Sequence, residues 1–377
     1  MGDVNGDGYD DIALPYYNSG NRLAIIYGRA TATIWPTTFN IATWVTLATS
    51  RLNGDTVGLW LSYGNNDSGV APYIPDATYP RFALCDVNAD GYSDVIIPGL
   101  NIDITGATKN SRPQFFIMLG PVDSAYLPYS ARLSTITFGD EVTNDTVRSV
   151  FCKDIDNDGF DDVIVQKIYG STEYLYVTKG NASFTGAYIQ EASNSGYDIR
   201  FDLNTNKPSW FTMTNPITLA FGDVNNDGKT DIIFSSSGDS PKYSTGSTFA
   251  INDTGTVRPS AGISYVLYQP TSWGTTPGLN KNWHDYNFNG VDGIRLMGGT
   301  TDKISVQKVM DINKDGKNDL LIKSDVTTIK SGGAYVVWGK DDWTATPSAS
   351  ATSYDLNCLR TTSGVGYEHC PTQLGVK

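Results

Sequence analysis

Five stretches of the 377-residue chain place carboxylates and amides at one fixed spacing, beginning with Asp3-Val4-Asn5-Gly6-Asp7-Gly8-Tyr9-Asp10-Asp11. The spacing returns at Asp86, Asn88, Asp90 and Asp94, then at Asp154, Asp156, Asp158 and Asp162. It returns again at Asp223, Asn225, Asp227 and Asp231, and lastly at Asp311, Asn313, Asp315 and Asp319. With side-chain oxygens at positions 1, 3, 5 and 9 and glycine at 6, such a stretch bends into a chelating turn. Alternate side chains point inward, glycine permits the sharp bend, and the seventh residue offers its carbonyl. That seventh residue is Tyr9, Tyr92, Phe160, Lys229 and Lys317 in chain order. Hard oxygen ligands with no His or Cys beside them suit Ca²⁺, so each turn is predicted to hold one structural ion, about five in all. The third turn, with Asp in place of Asn at its third position, is predicted to bind tightest.

A helix-loop-helix calcium site requires Glu at position 12 and a helix after it. Here position 12 is Leu14, Ile97, Val165, Phe234 and Ile322, each inside a strand-like run, which excludes that motif. A plain polar hairpin turn does not call for Asp at the ninth position five times over. The stretch from Asp285 to Gly293 imitates the turn but lacks the last carboxylate, and is read as an outer turn without metal.

The elements around the turns read as strands. Each turn is followed by a short aliphatic run (IAL, VII, VIV, IIF, LLI), then by a second run such as RLAIIYG, QFFIMLG or GAYVVWG. A third run, as in ARLSTITFG or NGVDGIRLMGG, and a last one before the next turn, as in RFALCD or ITLAFGD, complete the unit. Short β-branched and aromatic runs bounded by Gly, Pro and Asn are strands. Four antiparallel strands per repeat, without helical periodicity, predict an all-β chain built as a β-propeller of four-stranded blades. Successive first Asp residues lie 83, 68, 69 and 88 residues apart, a blade plus variable loops.

The D-x-[DN]-x-D-G-x-x-D turn, its following aliphatic strand and the Phe138-Gly139 and Phe221-Gly222 pairs resemble the FG-GAP repeats of integrin-alpha-type propellers. The resemblance implies that the turn joins the first and second strands of each blade and that its Ca²⁺ is structural. Five repeats are recognisable where that family has seven, which leaves five long blades, hidden degenerate blades (five to seven in all) or part of a larger ring. The chain is read as a single domain over 1–377, complete or excerpted from a longer one. Residues 354–377 are predicted to close the ring by pairing with the N-terminal blade, since PTQLGVK would run into MGDVNGDG much as PITLAF runs into GDVNNDG.

Composition narrows the function. A net charge of −13 excludes a nucleic-acid binder, and no run is apolar enough to span a membrane. Of the four cysteines, Cys358 and Cys370 are close enough in sequence to be a disulfide candidate; Cys85 and Cys152 are expected to be buried free thiols, although three pairings are formally open. Long loops at 64–81, 98–114 and 235–262 would share the face opposite the acidic turns. Tyr73, Tyr79, Arg81, Lys109, Arg112, Lys242, Tyr243 and Arg258 are the candidate contacts there for a protein or glycan ligand, an aromatic and cationic set suited to carboxylates or sugars. Asn66, Asn144, Asn181 and Asn252 are glycosylation acceptors by pattern. Only His284 and His369 are present and no catalytic motif accompanies them, so no enzyme is predicted; His284 is read as a packing residue. Turns of this affinity class fill at extracellular calcium levels. The expectation is therefore a secreted or cell-surface, calcium-stabilised adhesion or recognition module, the alternative being a structural module bound to neighbouring subunits of a filament or surface assembly.

Overall fold

The computed structural model describes residues 1–16, 21–28, 52–54, 58–63, 70–71, 82–102, 111–122, 133–139, 146–169, 172–212, 217–244, 250–251, 255–273, 277–286, 288, 290, 292–325, 333–339 and 353–356. These residues form an all-β structure dominated by antiparallel pairing, with one short 3₁₀ turn at Trp283–Asp285. The chain divides into two compact units. One comprises Met1–Asp154, Asp158–Asp202 and Thr276–Asn280; the other comprises Ile155–Asn157, Leu203–Thr275 and Lys281–Lys377.

In the first unit each repeat supplies one sheet. The first is four-stranded and antiparallel, in the order Ile12–Tyr16, Asn21–Ile26, Gly58–Tyr63, Leu52–Gly54. The second runs Ala83–Cys85, Asp94–Ile102, Ser111–Met118, Leu133–Phe138, with Val70–Ala71 also on Asp94–Ile102. The third runs Thr146–Lys153, Asp162–Tyr169, Thr172–Thr178, Ile199–Asp202, Leu279–Asn282.

Alternation explains why these strands read as continuous apolar runs. Val95 and Ile97 pack with Leu23 and Ile25 of the first sheet, whereas Ile96 between them packs with Val163 and Val165 of the third. Phe116 and Met118 face the first sheet, and Phe115 and Ile117 face the third. A strand covered on both faces needs an apolar residue at every position. The second unit repeats the scheme. Ile217–Gly222, Asp231–Ser236, Ile263–Leu267 and Gly293–Met297 pack against Ile304–Met310, Asp319–Ser324 and Gly333–Val337 through Ile233, Val266, Leu296, Val306, Leu320 and Ile322. A separate small sheet joins Lys242–Ser244, Ala250–Ile251 and Thr256–Val257.

Leu279–Asn282 and Val70–Ala71 exceed the expected four strands, and two edges depart from the all-antiparallel pattern. Gly186–Ile189 adds to Leu133–Phe138 in parallel, and Ser353–Asp355 adds in parallel to Arg295–Met297. The second case gives residues 353–355 a place on the fourth repeat's sheet, where the buried Leu356 joins Ile294 and Leu296 in the core. Of residues 354–377, expected to close a ring with the N-terminal blade, 354–356 lie here and 357–377 lie outside the described residues. The first case depends on Gly186, whose φ is +88° and whose missing Cβ would lie 2.0 Å from the Thr135 carbonyl oxygen. Gly186→Ala should cost at least about 2 kcal/mol, from left-handed strain plus a backbone clash, and lower the midpoint of thermal unfolding measured by circular dichroism.

Candidate metal-binding loops

All five acidic stretches fold into one and the same turn. The first Asp accepts, through Oδ2, the N–H of the glycine at position 6, at 2.7–3.0 Å: Gly8, Gly91, Gly159, Gly228 and Gly316. The Asp at position 5 accepts, through Oδ1, the N–H of Tyr9, Tyr92, Phe160, Lys229 or Lys317, in every case at 3.0 Å. The asparagine side chain at position 3 accepts the N–H of Asp7, Asp90, Asp227 and Asp315 in the four loops that carry it. Carboxylates thus line the turn by satisfying the backbone donors that its tight curvature strips of partners.

Two positions, not one, require a left-handed backbone. Position 6 is glycine throughout, at φ of +81° to +95°. Position 4 is also left-handed, at Gly6, Ala89, Asn157, Asn226 and Lys314. Asn and Gly there are a signal that sequence reading passed over; Ala89 and Lys314 carry the strain without that chemistry.

The ninth residue does more than line the turn. Asp11, Asp94, Asp162, Asp231 and Asp319 are fully buried, beneath the loop rather than on it. Oδ2 accepts the N–H of the second loop residue at 2.8 Å in four loops, from Val4, Val87, Val224 and Ile312. Oδ1 accepts an N–H beyond the following hairpin strand, from Gly28, Gly120, Gly180, Gln269 or Gly339. A Cβ on Gly28, Gly180 or Gly339 would stand 2.3–2.5 Å from the carbonyl at loop position 8, so the glycine ending YG, KG and WG is a close-approach residue. Burial pushes Asp94 and Asp231 up to about 7, and raises Asp11, against the lowering effect of their backbone donors. Their neighbouring loop carboxylates push the same way. A cation beside them would reverse that push by favouring the charged form.

In the third loop, oxygens of Asp154, Asp156 and Asp162 all lie within 4.8 Å of one another. Two oxygens bound to one Ca²⁺ at about 2.4 Å each can be no more than about 4.8 Å apart, so the donor set fits that ion. No second carboxylate triple of this kind occurs among the described residues, in keeping with Asn at position 3 of the other loops.

Consecutive loops also touch within each unit, through position 8. Ser93 N–H donates to the Asp3 carbonyl at 2.7 Å, and Asp161 N–H to the Asp86 carbonyl at 3.0 Å. Thr230 N–H donates to Asn157 Oδ1 at 3.2 Å, and Asn318 Nδ2 to the Asp223 carbonyl at 3.1 Å.

Cys85 and Cys152 are not free thiols: they form a disulfide with a Cα–Cα distance of 5.9 Å. They lie at or next to the ends of two strands, Ala83–Cys85 and Thr146–Lys153, that pack in the same core, which brings two cysteines 67 residues apart within bonding range. Cys358 and Cys370 lie outside the described residues, as do Tyr73, Tyr79, Arg81, Lys109, Asn66, Asn144, Asn252 and His369; Arg112 lies in a described strand, its side chain not. Lys242 and Tyr243 stand half-buried in the small sheet. Arg258 is buried, with its guanidinium 4.3 Å from the Tyr243 ring centre and Nη1 donating to the Gly298 carbonyl at 3.0 Å. Asn181 is exposed. His284 stacks edge-on against Phe211 and Tyr265, with Nε2 3.2 Å from the Leu203 carbonyl. Asp285 is held by the amides of Asn206 and Asn282, which keep its carboxyl below the usual range.

Relieving the strain at position 4 offers a direct check on the turn. Ala89→Gly should stabilise the protein by about 0.5–1 kcal/mol, read as a raised denaturation midpoint. Comparison with known proteins adds no assignment: no family model matches the chain, and no curated protein matches it.

Proposed function

We propose that the chain is a calcium-stabilised β-propeller of the FG-GAP type, extracellular or on the cell surface, working as an adhesion or recognition module. The observation that carries the reading is the five-fold recurrence of one carboxylate-lined turn, on sheets that pack face to face within each unit, with a donor triple in the third turn that fits Ca²⁺. Positions 1, 3, 5 and 9 would hold the ion with their side-chain oxygens, and position 7 with its carbonyl. The bound ion supplies positive charge where three to four carboxyl groups converge. The residues themselves order the turn, place the ninth carboxylate under it and tie it to the next strand. A recognition role rests on the sheets as a scaffold and on the connections at 64–81 and 235–262, where binding loops belong; of the third expected loop, 98–114, residues 98–102 and 111–114 are instead paired strand.

Calcium at 100 times its dissociation constant should stabilise the folded state by about 2.7 kcal/mol per such site. Asp158→Ala should remove one bound ion from the stoichiometry measured by equilibrium dialysis with atomic emission; an unchanged count refutes the assignment of the third loop. Binding to a glycan and matrix-protein array in millimolar Ca²⁺, lost in chelator and on shortening 64–81 or 235–262, is the result expected of a recognition module. A blank array from folded, calcium-loaded protein would instead favour a structural module in an assembly.

A further inference from the structure

The second and third acidic loops are joined differently from the rest. At the other junctions position 8 is Ser93, Thr230 or Asn318, each reaching the preceding loop through one hydrogen bond. At this junction position 8 is Asp161, half-buried, which makes three bonds. Its N–H donates to the Asp86 carbonyl at 3.0 Å. Its carboxylate accepts the N–H of Asp86 through Oδ2 at 3.1 Å and the N–H of Asp154 through Oδ1 at 3.0 Å. One side chain therefore holds the first residue of both loops. The Cys85–Cys152 disulfide lies at the same place: Cys85 directly precedes Asp86, and Cys152 stands two residues before Asp154.

We propose that Asp161 is a positioning residue that locks the second and third loops into one unit, and that the disulfide holds their two strands at the spacing its carboxylate needs, which puts the lock under redox control. The carboxylate can span two N–H groups from different sheets only while those strands stay in register side by side. A covalent tie next to both N–H groups limits their separation, whereas van der Waals contact alone does not. Cys152 is half-buried and Cys85 buried, so a dithiol reductant meets the Cys152 sulfur first. Thiolate attack there forms a mixed disulfide and expels the Cys85 thiolate. The reductant's second thiolate then releases Cys152, so the protein gains two electrons and two protons as two thiols while the reductant becomes a disulfide. The lock does not depend on bound calcium and is testable without it.

The experiment is amide hydrogen exchange, read by mass spectrometry on the full chain in chelator. Conditions are oxidised, reduced with a dithiol, and reduced or oxidised Asp161→Asn. The Asn side chain offers an acceptor to only one of the two N–H groups. Exchange over both 86–94 and 154–162 should rise about tenfold on reduction and likewise in the oxidised variant, while 223–231 and 311–319 stay unchanged. Reduction of the variant should add little, because both changes break the same lock. Loosening of 154–162 alone, fully additive effects, an equal rise across all four loops, or no change on reduction would each overturn the proposal. If Asp161→Asn does not fold, reduction of the unaltered chain still decides it, through paired loosening of the two loops or its absence.

Discussion

A buried carboxylate that accepts backbone N–H groups from beyond its own strand is the constraint on which each repeat depends. The ninth residue of every acidic loop lies under the turn, one oxygen on an N–H beyond the following strand. In four loops the other oxygen holds the N–H of the second loop residue. Burying an ionised group is costly unless hydrogen bonds replace water. These bonds do so in part, since Asp94 and Asp231 still rise to about 7. The carboxylate therefore fixes where the turn closes, where the next hairpin ends and, through the second loop residue, which apolar side chain enters the core. Val4, Val87 and Val224 are held in this way and buried, whereas Ile312, held by the same bond, is exposed.

The loop also reaches into the next repeat. Val122 N–H donates to the Val4 carbonyl, Asn181 N–H to the Val87 carbonyl, and Trp273 Nε1–H to the Ile155 carbonyl at 2.7 Å. Carbonyls that a strand would have paired are left unpaired where the chain turns away, and the following repeat satisfies them. Sheet packing within each unit is thus specified at one end by polar contacts between loops as well as by apolar contact between faces.

The interior holds polar groups too. Lys167, fully buried, pairs with Glu191 and lies 4.9 Å from the Phe138 ring centre and 5.1 Å from that of Tyr169. Gln166, on the other face of the same strand, donates to Glu173, which Arg148 approaches at 3.6 Å. Both sets lie toward the far end of Asp162–Tyr169 from the acidic loop. Buried charges of this kind persist by pairing, and removal of one partner is far more costly than the pair's net contribution.

The acidic turn, its five copies, the strand that follows each and the all-β class were legible in the residues, because spacing and period-two patterning are local properties. Glycine at position 6 announced its own bend, whereas coverage of the strands on both faces came only from the folded sheets. Other features needed the tertiary structure, because they depend on residues brought together from far apart in the chain. The disulfide between Cys85 and Cys152 is one, decided by two strands sharing a core rather than by proximity in sequence. Parallel edges at Gly186–Ile189 and Ser353–Asp355 are another, since an edge strand chooses its partner by what it buries, as Leu356 does. The last is the double duty of the ninth Asp: its place in a chelating pattern was local, but its role as a staple depends on a glycine 17 to 26 residues further along in four of the repeats, and the backbone brings the two together only in the folded sheet.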